Sequence, residues 1–146
     1  MLDKSVVPMP STVAAQLQEP LGSPCLRLEY RALDAGHVLG LCTNYLRFPE
    51  AAAVNDAPFH SYWYDLLDAA RLTVGSSDLL IEAVLADDED LAAQLDVDLN
   101  APLVAVQQVI RDETGRPYDF ALLRFRADRF SIMARAIPPF TPGVPA

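Results

Sequence analysis

The sequence is poor in cysteine, in histidine and in positive charge. Its two cysteines, Cys25 and Cys42, make no disulfide framework. Its two histidines, His37 and His60, are too few for a metal site without further ligands close by. Lys and Arg number 11 against 20 Asp and Glu, a net charge of -9. That balance repels phosphate backbones and makes the chain, by itself, a poor nucleic-acid binder. No apolar run approaches the ~20 residues of a membrane span. The first ten residues lack the apolar core of a signal peptide, so a cytoplasmic location is expected. A Gly-rich phosphate loop and a nucleophile elbow are also missing. No catalytic residue, metal or cofactor is therefore expected. What the chain does have is apolar residues, 51% of 146. That suits one globular domain burying roughly two-thirds of its unfolded surface.

Proline marks the two ends. Pro8 and Pro10 stand near the start, and Pro138, Pro139, Pro142 and Pro145 crowd the finish. Both ends are expected to be extended and irregular. Between them runs an internal repeat. "VAAQL" (13–17) returns as "LAAQL" (91–95), and Pro24 and Pro102 keep the same separation. "CLRLEYRALDAG" (25–36) aligns with "LVAVQQVIRDETG" (103–115), and "LGLCTNYLR" (39–47) with "YDFALLRFR" (118–126). Each half reads as helix, strand, turn, strand. Ser11 or Thr12 is placed to cap the first helix, and Asp87 the second, with Asp88, Glu89 and Asp90 favoured by the dipole in its first turn. Gly36 and Gly115 supply the positive φ that the hairpin turns need. Trp63, Leu66, Leu67 and Ala70 fall at i, i+3, i+4 and i+7 of a middle helix. "LLIEAVLA" (79–86) reads as a buried strand. Hairpins mixed with helices imply an α+β domain on an antiparallel sheet.

Period-two alternation sorts the strand residues into faces. Leu26, Leu28, Tyr30 and Ala32 share one, as do Val104, Val106, Gln108 and Ile110, and Asp119, Ala121, Leu123 and Phe125. Tyr30, Gln108 and Asp119 are thus polar groups on apolar faces. Buried polar groups need partners, and a buried carboxylate without them shifts its pKa. Either these groups converge on a ligand cavity, or Asp119 simply pairs with a local Arg or backbone group near its hairpin end. Cys42 fits a small core residue. Arg124, Arg126 and Arg129 fit a solvated face.

Residues 90–130, "DLAAQLDVDLNAPLVAVQQVIRDETGRPYDFALLRFRADRF", carry a family likeness, most specifically in "GRPYD" followed by "FRADRF". They resemble the end of a UTRA domain, the effector-binding module of the HutC-type branch of GntR-family transcription regulators. Residues 13–50 resemble its first half, where the family shows "E..YLP" near Cys42 to Arg47, and "YWYDLLD" (62–68) resembles its "SLYe.le" helix start. The resemblance covers about residues 10–136, with 137–146 left as a Pro-rich tail. It implies a chorismate lyase-like fold with two pseudo-repeated helix-hairpin halves, and a homodimer. It further implies a small effector in a central cleft whose binding alters how a winged helix-turn-helix domain grips DNA. No such DNA-binding domain is read in this chain, and no membrane or direct nucleic-acid contact is expected.

The same resemblance places the ligand site at Tyr30, Cys42, Tyr62, Tyr64, Gln108, Asp119 and Phe125. Tyr64 and Asp119 keep the family residue. The family's frequent arginines fall at Tyr30, Ala32 and Gln108, its Glu at Cys42, its Ser at Tyr62 and a Tyr at Phe125. Arginine recognises phosphate and carboxylate bidentately, so its loss argues against an anionic effector. Two alternatives stand beside this reading. One is a degenerate dimerisation or protein-interaction module whose cleft is filled by its own side chains. The other is a chorismate lyase-like enzyme, which the lack of inward arginines disfavours.

Overall fold

The computed structural model describes residues 1–59, 62–138 and 143. Among these, six strands and four helices follow one another. They are β1 (Asp3–Pro8), α1 (Ser11–Leu17), β2 (Pro24–Asp34), β3 (His37–Arg47), α2 (Glu50–Asp56), α3 (Trp63–Ala69), β4 (Ser76–Leu85), α4 (Glu89–Leu95), β5 (Pro102–Arg111) and β6 (Pro117–Arg126). All strand pairs are antiparallel, in the order β1-β2-β3-β6-β5-β4. The fold is α+β, and the sheet is built from two copies of one β-α-β-β unit meeting at the β3–β6 seam. The duplicated sequence is visible in the backbone: α1 and α4 both end on a left-handed residue, Gln18 and Asp96.

Each half's helix packs across the seam, α1 on β6 and α4 on β3. Val13, Ala14 and Leu17 of α1 meet Cys25, Val109 and Phe120. Ala92 and Leu95 of α4 meet Leu103, Val38 and Leu41. This crossing packs each half against the other. The opposite sheet face carries the largest apolar cluster, where Ala51 and Val54 of α2 and Trp63, Leu66 and Leu67 of α3 cover Leu26, Leu28, Tyr30 and Leu46. The middle helix therefore buries the spacing read from the sequence. Gly36 and Gly115 hold positive φ in the two turns.

Several expectations need correction. The N-terminal stretch is extended but not irregular: β1 pairs with β2 from Asp3↔Glu29 to Pro8↔Pro24. Pro8 is tolerated there because an edge strand can spare a donor. Neither Ser11 nor Thr12 caps α1; Pro10 takes the N-cap position without a side-chain hydrogen bond. The α4 cap is Asp88, which accepts from the Leu91 N–H at 2.8 Å, not Asp87. β4 is not buried. It is the sheet's far edge, with Leu79, Leu80 and Ile81 exposed by 55%, 53% and 44%. The tail beyond residue 138 lies largely outside the described residues, as does His60. No helix among the described residues is long and apolar enough to cross a membrane.

Candidate functional site

Strand register lays the inward side chains out in rows across β2, β3, β6 and β5. One row is Leu28, Asn44, Ala121, Gln108; the next is Tyr30, Cys42, Leu123, Val106; the next is Ala32, Gly40, Phe125, Val104. A hollow lies between these rows and the start of α3, with the small Ala32 in its wall, and Gly40 makes room for the Phe125 ring that closes it. A side chain at Gly40 would strike the Phe125 ring and lie 2.8 Å from the Arg124 carbonyl oxygen. The result is a cavity of about 190 Å³.

Six of the seven residues read from the sequence line it: Tyr30, Cys42, Tyr62, Tyr64, Gln108 and Phe125. Both halves of the duplicated chain and the middle helix contribute. Asp119 is not in the wall. It sits one row deeper, opposite Leu46 and Ile110, with no exposed surface. The suggestion that it pairs with a local Arg is wrong, because none of the ion pairs among the described residues includes it. It accepts instead from two cavity-lining residues. Asn44 Nδ2 donates to both carboxylate oxygens, at 3.0 and 3.1 Å, and the Trp63 indole N–H donates at 2.7 Å. Tyr30 O–H donates to Asn44 Oδ1 at 3.2 Å, completing a chain from β2 through β3 to β6.

The sequence reading missed four lining residues, the apolar Ala32 and Leu123 and the hydrogen-bonding Asn44 and Trp63. Asn44 carried the same signal as Gln108, a polar residue alternating with Cys42 and Leu46 on an inward face. Trp63 was assigned to the core alone, yet its indole N–H serves the buried carboxylate. Gln108 anchors the other side. Its Nε2 donates to Tyr64 Oη and to Ser77 Oγ, both at 2.7 Å, tying α3 and the edge strand to β5.

The electrostatics follow from burial. Loss of water pushes Asp119 up to about 7, although the Asn44 and Trp63 hydrogen bonds oppose the shift by favouring its ionised form. Burial pushes Cys42 up to about 12, so its thiol is a neutral wall and not a nucleophile. Tyr30 is pushed well above the usual phenol range, by burial first and then by Cys42 and Asp119. A wider cleft of about 360 Å³ lies elsewhere, lined by Asp96, Asp98, Arg126 and Asp128. Arg126 pairs there with Asp128 at 2.9 Å and lies 4.0 Å from Asp96, so its charge is already engaged.

A shared hollow, reached by side chains from both halves, is thus present. The UTRA domain family model matches residues 1–131. The chain belongs to the UTRA domain family. A protein assigned as a transcriptional regulator in Streptomyces coelicolor is 28% identical, with a TM-score of 0.78, and the match covers 89% of this chain and 86% of that one. The effector domain of PhnF from Mycobacterium smegmatis shares 21% identity at a TM-score of 0.83, over 93% of this chain and 84% of that one. The longer PhnF chain is matched over 61% of its length. A GntR-family transcriptional regulator from Enterococcus faecalis V583 shares 19% identity at a TM-score of 0.78, over 92% of this chain and 97% of that one. The last two proteins, below a quarter identity, speak to the fold of this UTRA domain.

Proposed function

We propose that this UTRA domain is the effector-binding and dimerisation domain of a GntR/HutC-type transcription regulator working in the cytoplasm. A small molecule enters the cavity between the rows of Tyr30 and Asn44 and the α3 residues Trp63 and Tyr64. Its binding shifts the balance between arrangements of sheet and helix, and the dimer transmits that shift to an attached or partner winged helix-turn-helix. Residues 10–136 form the sensing unit, with β1 adding an edge strand ahead of it. The observation that carries the reading is the convergence of six sequence-read residues on one apolar hollow, backed by a buried polar chain. Among the described residues the lining contains no Lys, Arg or His, which disfavours both an anionic effector and a chorismate-like substrate. The open hollow also disfavours a module filled by its own side chains.

The test is thermal stabilisation by a panel of small metabolites, run on the wild type and on Ala32→Phe. Ala32 lines the hollow and is only half-buried, so a ring there fills space at low cost. At least one compound is expected to raise the wild-type Tm by several degrees and to leave Ala32→Phe unmoved. Equal responses would place the binding elsewhere and sink the reading.

The dimer surface in this reading is β4. An edge strand offers unpaired backbone groups, and here it also exposes Leu79, Leu80 and Ile81 on both its faces. Two copies of β4 paired antiparallel about a twofold axis would cover both features and join two sheets into one. Leu80→Lys is therefore expected to turn a dimer into a monomer by light scattering. An unchanged mass would assign dimerisation to another surface.

A further inference from the structure

The hydrogen-bond directions around the cavity narrow the ligand further than its size does. The N–H donors that could have faced inward are already committed. Asn44 Nδ2 and the Trp63 indole N–H point at Asp119, and Gln108 Nε2 points at Tyr64 and Ser77. Tyr30 O–H is spent on Asn44. What the walls offer a guest is mainly ring faces of tyrosine, tryptophan and phenylalanine and the free amide oxygen of Gln108, with the Tyr62 and Tyr64 hydroxyls as the remaining polar groups, able to accept or to donate. Tyr30 and Trp63 lie nearly parallel, 9° apart in plane with centroids 6.0 Å apart. Phe125 is held in place by stacking on Phe130 at 4.0 Å.

Charge agrees with direction. Across the inward rows from β2 to β6 the single charged side chain is Asp119. It is fully buried and accepts three hydrogen bonds, yet no cation among the described residues pairs with it. A buried carboxylate is costly without a counter-charge. An anion would meet that carboxylate with no basic side chain among the described lining residues to hold it. An uncharged guest would leave it unpaired. A cation in the hollow would offset that charge from across Asn44 and Trp63, which line the hollow and hold the carboxylate, and aromatic faces are the surfaces on which organic ammonium groups are bound.

We propose that the cavity selects a small organic cation of about the size of tetramethylammonium or choline, cradled by Tyr30, Trp63 and Phe125 with the Asp119 carboxylate behind them. This rests on the reading of the cavity as the effector site, and it adds the chemical class of the effector. Trp63 is the chain's one tryptophan, so its fluorescence reports on the site without a label.

The experiment titrates the full chain with three compounds of one shape, following that fluorescence. They are choline, dimethylbutanol as its uncharged carbon isostere, and dimethylbutanoate as an anion. Choline is expected to bind at least ~10-fold tighter than the alcohol, on the scale of a desolvated cation–π contact. The acid is expected not to bind. In Asp119→Asn, choline should fall to the affinity of the alcohol, whose own binding shows that the variant is folded. Equal affinity for choline and the alcohol in the wild type overturns the cation and leaves the effector site standing. Silence of Trp63 to all three compounds also overturns the cation. The metabolite panel on Ala32→Phe then decides the effector site separately.

Discussion

Between pH 4 and pH 8 the wild type should lose up to about 4 kcal/mol of stability relative to Asp119→Asn. Burial pushes the folded-state value of Asp119 up to about 7, whereas an unfolded chain ionises its aspartates near ~3.9. A raised value means that the native state holds this proton more tightly than the unfolded state does. The stabilisation is complete below about pH 4 and drains away as pH rises through about 7. Asn cannot titrate, so the variant lacks this slope. Its amide crowds two N–H donors and imposes a constant cost, which shifts the curve without tilting it. The other titratable groups near the carboxylate are Tyr30, Cys42 and Tyr118, all pushed upward by burial. None changes charge in this window, and distant carboxylates cancel between the two proteins. Urea denaturation at a series of pH values measures the difference. Parallel curves would show that Asp119 is not the uncompensated buried acid described above.

Arg47→Met should lower stability by about 3 kcal/mol, or roughly 10 °C in Tm for a chain of this length. Arg47 ends β3 and is almost fully buried. Its guanidinium forks onto Glu50 in the first turn of α2, with Nε to Oε2 at 3.1 Å and Nη2 to Oε1 at 2.7 Å. Glu19, in the loop after α1, lies 3.8 Å from Nη1. One cation therefore fastens the helix layer of the site face to the sheet and to the first repeat. Removing it leaves a mostly buried carboxylate with nothing to face, which is the expensive half of breaking a buried pair. Arg47→Met combined with Glu50→Met should regain more than half the loss, because two apolar side chains of similar volume can replace the pair. A single-variant cost under about 1 kcal/mol would remove Arg47 as the anchor of α2.

Much of the site was legible because β-structure has an exact period. Once Tyr30, Gln108 and Asp119 were seen to alternate with leucine, valine and isoleucine, their common face followed. The repeat then implied two hairpins side by side. Cys42, Tyr62, Tyr64 and Phe125 entered the site only through the family likeness, since a thiol or an aromatic does not by itself mark a ligand wall. Asn44 was missed because β3 alternates weakly: Leu41 and Tyr45 are as apolar as Cys42 and Leu46 on the other face. α2 was missed because seven residues with three alanines carry little periodicity. The Asp87 cap was one residue early because four acidic residues run together and any could accept the bond. The exposure of β4 was illegible in principle. A continuous apolar run looks the same whether a helix layer or a second chain covers it.

The central claim is that the hollow between the two halves holds the effector, with Asp119 behind it. The Trp63 indole N–H gives the most direct view, because it is the one such group in the chain and it donates to Asp119. A two-dimensional nitrogen–proton NMR spectrum resolves it as a single peak. Any compound that stabilises the protein should move that peak, along with the Asn44 and Gln108 side-chain amides, and Ala32→Phe should abolish the movement. A stabilising compound that leaves these three signals in place, and shifts instead the backbone amides around Asp96 and Asp128, would contradict the account.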